Sequence, residues 1–175
     1  MITTNRLTLI PHSAELLRAE IGDHVELARL LATNVSTAWP PESTVDALPF
    51  FLDHVESSSH RVGWSGWYAV TKPSEQAASS LVGGGGFMGS PNEGIVQIGY
   101  SVITEHQGTG YATEIVGGLI EWAFGHSDCS LAVAETEWKN PQSVRVLVKN
   151  GFVQTGAVSE TGGSRFELSA QQRPL

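Results

Sequence analysis

Apolar and polar positions follow two rhythms along this chain, and the changes between them mark its predicted elements. Arg6-Leu7-Thr8-Leu9-Ile10 alternates as a strand does and is stopped by Pro11. Residues 13–20 and 23–32 carry helical spacing, with Leu16, Leu17 and Ile21, then Val25, Leu27, Leu30 and Leu31, as apolar faces. Trp39-Pro40-Pro41 breaks this region, because paired prolines cannot continue a helix. A further helix is predicted from about Val45 to His54, on the spacing of Leu48, Phe51, Leu52 and Val55.

The second half is richer in strands. Residues 64–70, 80–88 and 95–103 read as three strands, with a polar loop over 72–80 and a turn at Ser90-Pro91-Asn92-Glu93-Gly94. From Tyr111 to Phe124 the apolar residues form one continuous helical face. A buried-type strand follows at 131–136. Asn140-Pro141 then opens a helix whose inner face is Val144, Leu147 and Val148, and Asn150-Gly151 closes it. Residues 152–158 and 164–168 form a last strand pair. This order predicts an α/β (α+β) fold: a single domain over residues 1–175, with a mixed central sheet of about seven strands flanked by helices.

Composition narrows the function classes. The chain has 175 residues and a formal net charge of −8, with ten Lys and Arg spread along its length. No basic stripe results, which argues against nucleic acid as a partner. No apolar run approaches membrane-spanning length and the N-terminus lacks the apolar core of a signal peptide, so a soluble, cytoplasmic protein is expected. The one cysteine, Cys129, excludes an internal disulfide and reads as a small apolar filler. The six histidines have no metal-ligand spacing, so no metal is expected.

Two glycine-rich stretches call for chemistry. Gly84-Gly85-Gly86-Phe87-Met88-Gly89 fits G-x-G-x-x-G, but a turn and a strand follow it where a dinucleotide site needs a helix. It reads as a glycine-rich strand packed closely against a neighbour. Gln107-Gly108-Thr109-Gly110-Tyr111-Ala112 differs: strand, glycine turn and amphipathic helix occur in the right order. Small residues there let the backbone approach a ligand while the helix presents free N–H groups, an anion site suited to a pyrophosphate.

Read in order, Ile98-Gly99-Tyr100, Gln107-x-x-Gly110-x-Ala112-Thr113-Glu114, Asn140-x-x-Ser143 and Gly151-Phe152 resemble the RimJ/RimL-type branch of the GNAT N-acetyltransferases. The resemblance is specific over residues 95–153 and looser over 4–9; Trp39-Pro40-Pro41 is similar to uncharacterised members of that branch. It implies that the fourth and fifth strands, here 95–103 and 131–136, splay apart to admit the pantetheine arm of acetyl-CoA. Main-chain groups of Gln107, Gly108, Thr109, Gly110, Tyr111 and Ala112 would hold the pyrophosphate, with Thr113 in the first helical turn. Val102 would pair with pantetheine, and Asn140 and Ser143 would contact its arm and sulfur end. Many relatives carry a tyrosine acid four residues after the Ser143 position, where this chain has Leu147. Ser143 or water is then the expected donor, or the thiolate leaves unprotonated.

The amine acceptor must lose a proton before attack. Glu135 is the first candidate base, Gln97 a substrate-positioning residue, and Glu160 an alternative base. Trp39, Trp64, Trp67 and Tyr68 are candidates for the acceptor wall. The expected activity is direct acetyl transfer from acetyl-CoA to a primary amine: a protein N-terminus, an amino acid or a small molecule. The alternative is a non-catalytic CoA-binding sensor or interaction module. A homodimer fits the resemblance.

Overall fold

The computed structural model describes residues 1–57, 62–137, 139–158 and 162–172. The strands are β1 Ile2–Thr3, β2 Leu7–Pro11, β3 Gly66–Thr71, β4 Leu81–Phe87, β5 Ile95–Val102, β6 Leu131–Glu137, β7 Val153–Val158 and β8 Gly163–Ser169. The helices are α1 Ala14–Gly22, α2 His24–Leu31, α3 Glu42–Val45, α4 Leu48–Ser57, α5 Tyr111–Phe124 and α6 Pro141–Lys149. One sheet joins all eight strands in the order β1-β2-β3-β4-β5-β6-β8-β7. The expected mixed α/β fold is present, with one strand more than foreseen. That strand is the two-residue β1, which pairs Ile2 with Leu9 and Thr3 with Thr8.

Side-chain alternation along the strands gives the sheet two apolar faces. On one, Ile115, Val116, Leu119 and Ala123 of α5 and Leu147 of α6 pack on Leu9, Val82, Val96 and Ile98. On the other, Leu27 and Leu31 of α2 and Trp39 pack on Tyr68, Val70 and Leu81. Each buried Leu, Ile and Val among them contributes about 1.5–3 kcal/mol by leaving water.

Three expectations about helix faces and boundaries are corrected. Ile21, Val25 and Val148 point to solvent, 49%, 80% and 57% exposed, while Glu20 is turned inward in place of Ile21. The helix expected from Val45 begins at Leu48, because Pro49 is tolerated only in a first turn. Pro11 ends β2 from inside it, paired with Trp67, since β1 covers β2 only at Thr8 and Leu9 and no neighbour there needs an N–H from residue 11.

The N-terminus of α5 is anchored to the start of β2. Glu114 accepts hydrogen bonds from Thr4 Oγ1 at 2.6 Å and from the Arg6 main-chain N–H and Nε at 2.5 and 2.8 Å. Arg6 also donates to the Thr109 carbonyl at 2.9 Å and lies over the Tyr111 ring at 4.6 Å. Burial alone would raise the Glu114 carboxyl, but these donors outweigh it and hold it below the usual range. Glu114→Ala is expected to cost about 1–3 kcal/mol in urea denaturation at neutral pH. The depressed pKa puts this stabilisation above the ordinary carboxylate pKa, so the gap between wild type and variant should close as pH falls through the native value.

Candidate functional site

The site begins where β5 leaves β6. The two strands run parallel and pair at only three positions, Ile95↔Leu131, Val96↔Ala132 and Gln97↔Val133. Beyond Gln97, β5 keeps its other neighbour, pairing through Val102 with β4. Ile103 donates its N–H to Val82 and Gln97 offers its carbonyl to Met88, so odd-numbered main-chain groups face β4. By alternation, those of Tyr100 and Val102 face the wedge opening toward β6. The Val102 carbonyl is engaged there by Gln107 Nε2 at 3.0 Å.

The wedge widens into a cavity of about 670 Å³ bordered by β5, the turn at 107–110 and the starts of α5 and α6. Gly108 and Gly110 hold φ of 75° and 88°, a region side chains resist, and a Cβ on Gly108 would meet only open space. No side chain caps α5, so its first-turn N–H groups remain open to an anion. Against a net charge of −8, this lining carries Arg145, Lys149 and His106, with Glu42 as its one carboxylate among the described residues. Such a lining suits a phosphate-bearing ligand.

Most expected cofactor residues converge on this cavity: Val102, Gln107, Gly108, Gly110, Tyr111, Ala112, Thr113, Asn140 and Ser143 all line it. Thr109 does not. Its hydroxyl donates to the His106 carbonyl at 2.6 Å and its own carbonyl is held by Arg6, so it shapes the turn instead. Asn140 also caps α6, accepting from Ser143 N–H at 3.0 Å. Leu147 is fully buried in the core, with no proton to give. The hydroxyl beside Ser143 belongs to Tyr100, which reaches across the wedge to within 2.7 Å of Ser143 Oγ. Burial pushes the Tyr100 phenol up, partly offset by that hydrogen bond. The motif Ile98-Gly99-Tyr100 contained this residue, but only the fold reveals what it faces.

The other catalytic candidates sit outside the cavities. Glu135 lies on the part of β6 that has left β5, 39% exposed and 3.7 Å from Arg165. The pairing register puts it on the same sheet face as Gln97, Gly99 and Ser101. Neither Glu135 nor Gln97 lines the 670 Å³ cavity or its neighbour. Glu160 falls outside the described residues. Cys129 is buried in the core, where burial first and Asp128 second push its thiol up to about 11.

A second cavity of about 300 Å³ lies on the α1 side of the sheet and shares Tyr100 and Ser101 with the first. Two of the four candidate wall residues, Trp39 and Trp67, line it. The Trp67 indole packs on Trp122 at 5.3 Å, Trp64 packs there at 4.7 Å without lining this cavity, and Tyr68 is fully buried. Two residues not foreseen also line this cavity, His12 and Glu20. Glu20 accepts from Trp39 Nε1 at 2.8 Å and Tyr68 OH at 2.5 Å, and burial raises its carboxyl despite both donors. His12 packs on Tyr68 at 4.5 Å and Phe51 at 5.7 Å, with Nδ1 buried and unpartnered. Burial holds the imidazole neutral, its pKa lowered to about 3.

Residues 6–153 match the family described as Acetyltransferase (GNAT) domain. An uncharacterized N-acetyltransferase of Bacillus subtilis (strain 168), YjdG, is 30% identical over 154 residues, spanning 87% of this chain and 89% of that one. Among solved structures, RimL, a ribosomal L7/L12 alpha-N-protein acetyltransferase in complex with coenzyme A, is similar with a TM-score of 0.67. It is 16% identical over 96% of this chain and 97% of that one. A chimera of spermidine N-acetyltransferase SpeG from Vibrio cholerae and hSSAT is similar with a TM-score of 0.63. It is 17% identical over 95% and 97% of the two chains. Among the described residues no helix is long and apolar enough to cross a membrane, and no cluster of three metal-ligating side chains occurs.

The neutral His12 makes a testable contribution to stability. Its native pKa lies below the unfolded value, so its contribution is complete above the ordinary imidazole pKa and is lost as pH falls toward 3. The raised Glu20 carboxyl works in the opposite sense, and comparison with His12→Phe isolates the histidine. Between about pH 7 and about pH 5, wild type should lose roughly 1–2 kcal/mol more than His12→Phe in urea denaturation.

Proposed function

The chain belongs to the GNAT family of acetyltransferases and is an acyltransferase, and we propose that it moves acetyl from acetyl-CoA directly onto a primary amine. The observation that carries this reading is the wedge between β5 and β6, continuous with a glycine turn and an uncapped helix start. The family uses acetyl-CoA, and both ends of that molecule find partners here. The first-turn N–H groups of α5, with Arg145 and Lys149, suit its phosphates. The main-chain groups of Tyr100 and Val102 suit its amide arm, as an added strand would. Assignment to the RimJ/RimL-type branch belongs to the same proposal and rests on the ordered motifs from Ile98 to Phe152.

Bound acetyl-CoA supplies a thioester whose carbonyl carbon the amine nitrogen attacks; C–N forms as C–S breaks, CoA leaves as its thiolate, and the second proton shed by the nitrogen as the amide forms balances the one the thiolate takes up. The chain's residues hold the two reactants and manage protons. The Tyr100–Ser143 hydroxyl pair, close to where the wedge and the second cavity meet, gives a proton to the departing thiolate or stabilises it by hydrogen bonding. Glu135 takes the ammonium proton through intervening water, standing on the sheet face it shares with Gln97, Gly99 and Ser101. Gln97, on that face, positions the acceptor. Bringing the reactants together accounts for much of the rate.

Acetyl-CoA at about 100 times its Kd should stabilise the fold by roughly 2.7 kcal/mol, read as a thermal shift. Gly110→Val should remove that shift, since a β-branched side chain resists the positive φ and approaches Arg6. No wild-type shift at millimolar ligand would overturn the reading. In acceptor-dependent CoA release, Tyr100→Phe and Glu135→Gln should each lower kcat on the order of 10- to 100-fold while keeping the thermal shift. Turnover separates this reading from a module that only binds CoA.

A further inference from the structure

The 300 Å³ cavity has an unusual floor. Its strand residues include Gly66, Gly84, Gly86 and Gly99, which come from three adjacent strands. Gly66, Gly86 and Gly99 form one cross-strand row, and Gly84 lies between Tyr68 and Ser101 in the next. The pairing register sets all four on one sheet face, where side chains would otherwise fill the space. Some are needed for close packing: a Cβ on Gly86 would lie 2.1 Å from the Ser65 carbonyl, and one on Gly66 would strike the His12 ring. Gly99 is not of this kind. A Cβ there would meet nothing within 4 Å, and its φ lies outside the positive region. The hollow above it is room left for something else.

What surrounds that room restricts its occupant. Trp39, Leu48, Phe51 and Met88 give apolar walls. Among the described residues, Glu20 is the one carboxylate of the lining and His12 the one imidazole, held neutral, so an ammonium meets attraction without a cation beside it. A polyamine bound here would leave its further ammonium groups against apolar walls, and a peptide would bury amides lacking partners; both are costly. The volume is at the small end of ligand cavities. The cavity meets the wedge at Tyr100 and Ser101.

We infer that this cavity is the acceptor site and that the acceptor is a small primary amine with a flat, apolar body. Its body lies on the glycine floor beneath Trp39 and Phe51, and its amino group points to the Tyr100–Ser101 junction. This assignment rests on the transferase reading for its chemistry, but the cavity's selectivity can be measured without turnover.

The probes are phenethylamine, spermidine and a short peptide with a free N-terminus. Binding is followed by saturation-transfer NMR on the full chain, and transfer by amine-dependent CoA release. Phenethylamine should bind, and its kcat/KM should exceed those of the other two by about 10-fold or more. Gly99→Leu, which fills the hollow, should abolish phenethylamine binding while keeping the acetyl-CoA thermal shift, and Gly99→Ala should weaken binding less. The retained shift reports that the variant is folded. Phenethylamine binding that is lost in Gly99→Leu, with no acetyl transfer, would uphold the cavity assignment and overturn the transferase reading. Transfer to spermidine or peptide with equal or better kcat/KM would overturn the inference and leave the transferase standing. So would absent phenethylamine binding, or binding unchanged in both Gly99 variants.

Discussion

Main-chain hydrogen bonding is the constraint on which this molecule is organised. A buried strand cannot leave its N–H and C=O groups without partners, yet β5 gives up β6 after Gln97 and continues to Val102. The fold tolerates this because the other edge of β5 stays paired with β4 through Val102. It also compensates locally: Gln107 reaches back to the Val102 carbonyl, and Tyr100 and Ser143 join hydroxyls across the gap. What stays unpaired lines a cavity, where a ligand with its own amides can complete the ladder. The same logic governs the helix that follows. An uncapped first turn is a stability deficit in isolation and a binding surface beside an anion.

Holding such a deficit in place requires rigidity nearby. The turn at 107–110 is pinned from outside the cavity, through Arg6 to the Thr109 carbonyl and through Glu114 to Thr4 and Arg6. These partners are more than a hundred residues apart in sequence for the Glu114 bonds, |i−j| of 110 and 108. The connection between β1 and β2 therefore supports this cavity without lining it. Charge is divided in the same manner. An acidic chain concentrates Arg145, Lys149 and His106 around one cavity and sets Glu20 in the other.

Local features were readable from sequence, and features made by distant contacts were not. The glycine turn, the Asn140-Pro141 helix start and the long apolar face of α5 each depend on neighbours within a few positions, and each stands where expected. β1 escaped because two residues carry no periodicity. Glu20 and Ile21 exchanged roles because a helical pattern treats a carboxylate as solvent-facing. Here Trp39 and Tyr68, 19 and 48 positions away, supply the hydrogen bonds that make its burial tolerable. Tyr100 was part of a recognised motif, but its partner on α6 is 43 positions further on. Glu135 was placed on the right strand; its ion pair with Arg165 comes from the pairing of β6 with β8.

The glycine run of β4 shows how an ambiguous motif acquires a definite use. Its spacing fits a nucleotide loop, but its strand neighbours turn it into a surface. Gly85 faces α5, where Leu119 and Ile115 close on it, and Gly84 faces Trp39 on the opposite side. The next strand continues this division. Tyr100 points with Gly85 toward α5 and α6, and Ser101 points with Gly84 toward the second cavity. A continuous sheet would separate ligands bound on its two faces. They can meet only where the sheet is open, and the two cavities share residues only at Tyr100 and Ser101, beside the missing pairing of β5 with β6. The opening that interrupts the ladder is thus also the place where the two faces of the sheet meet.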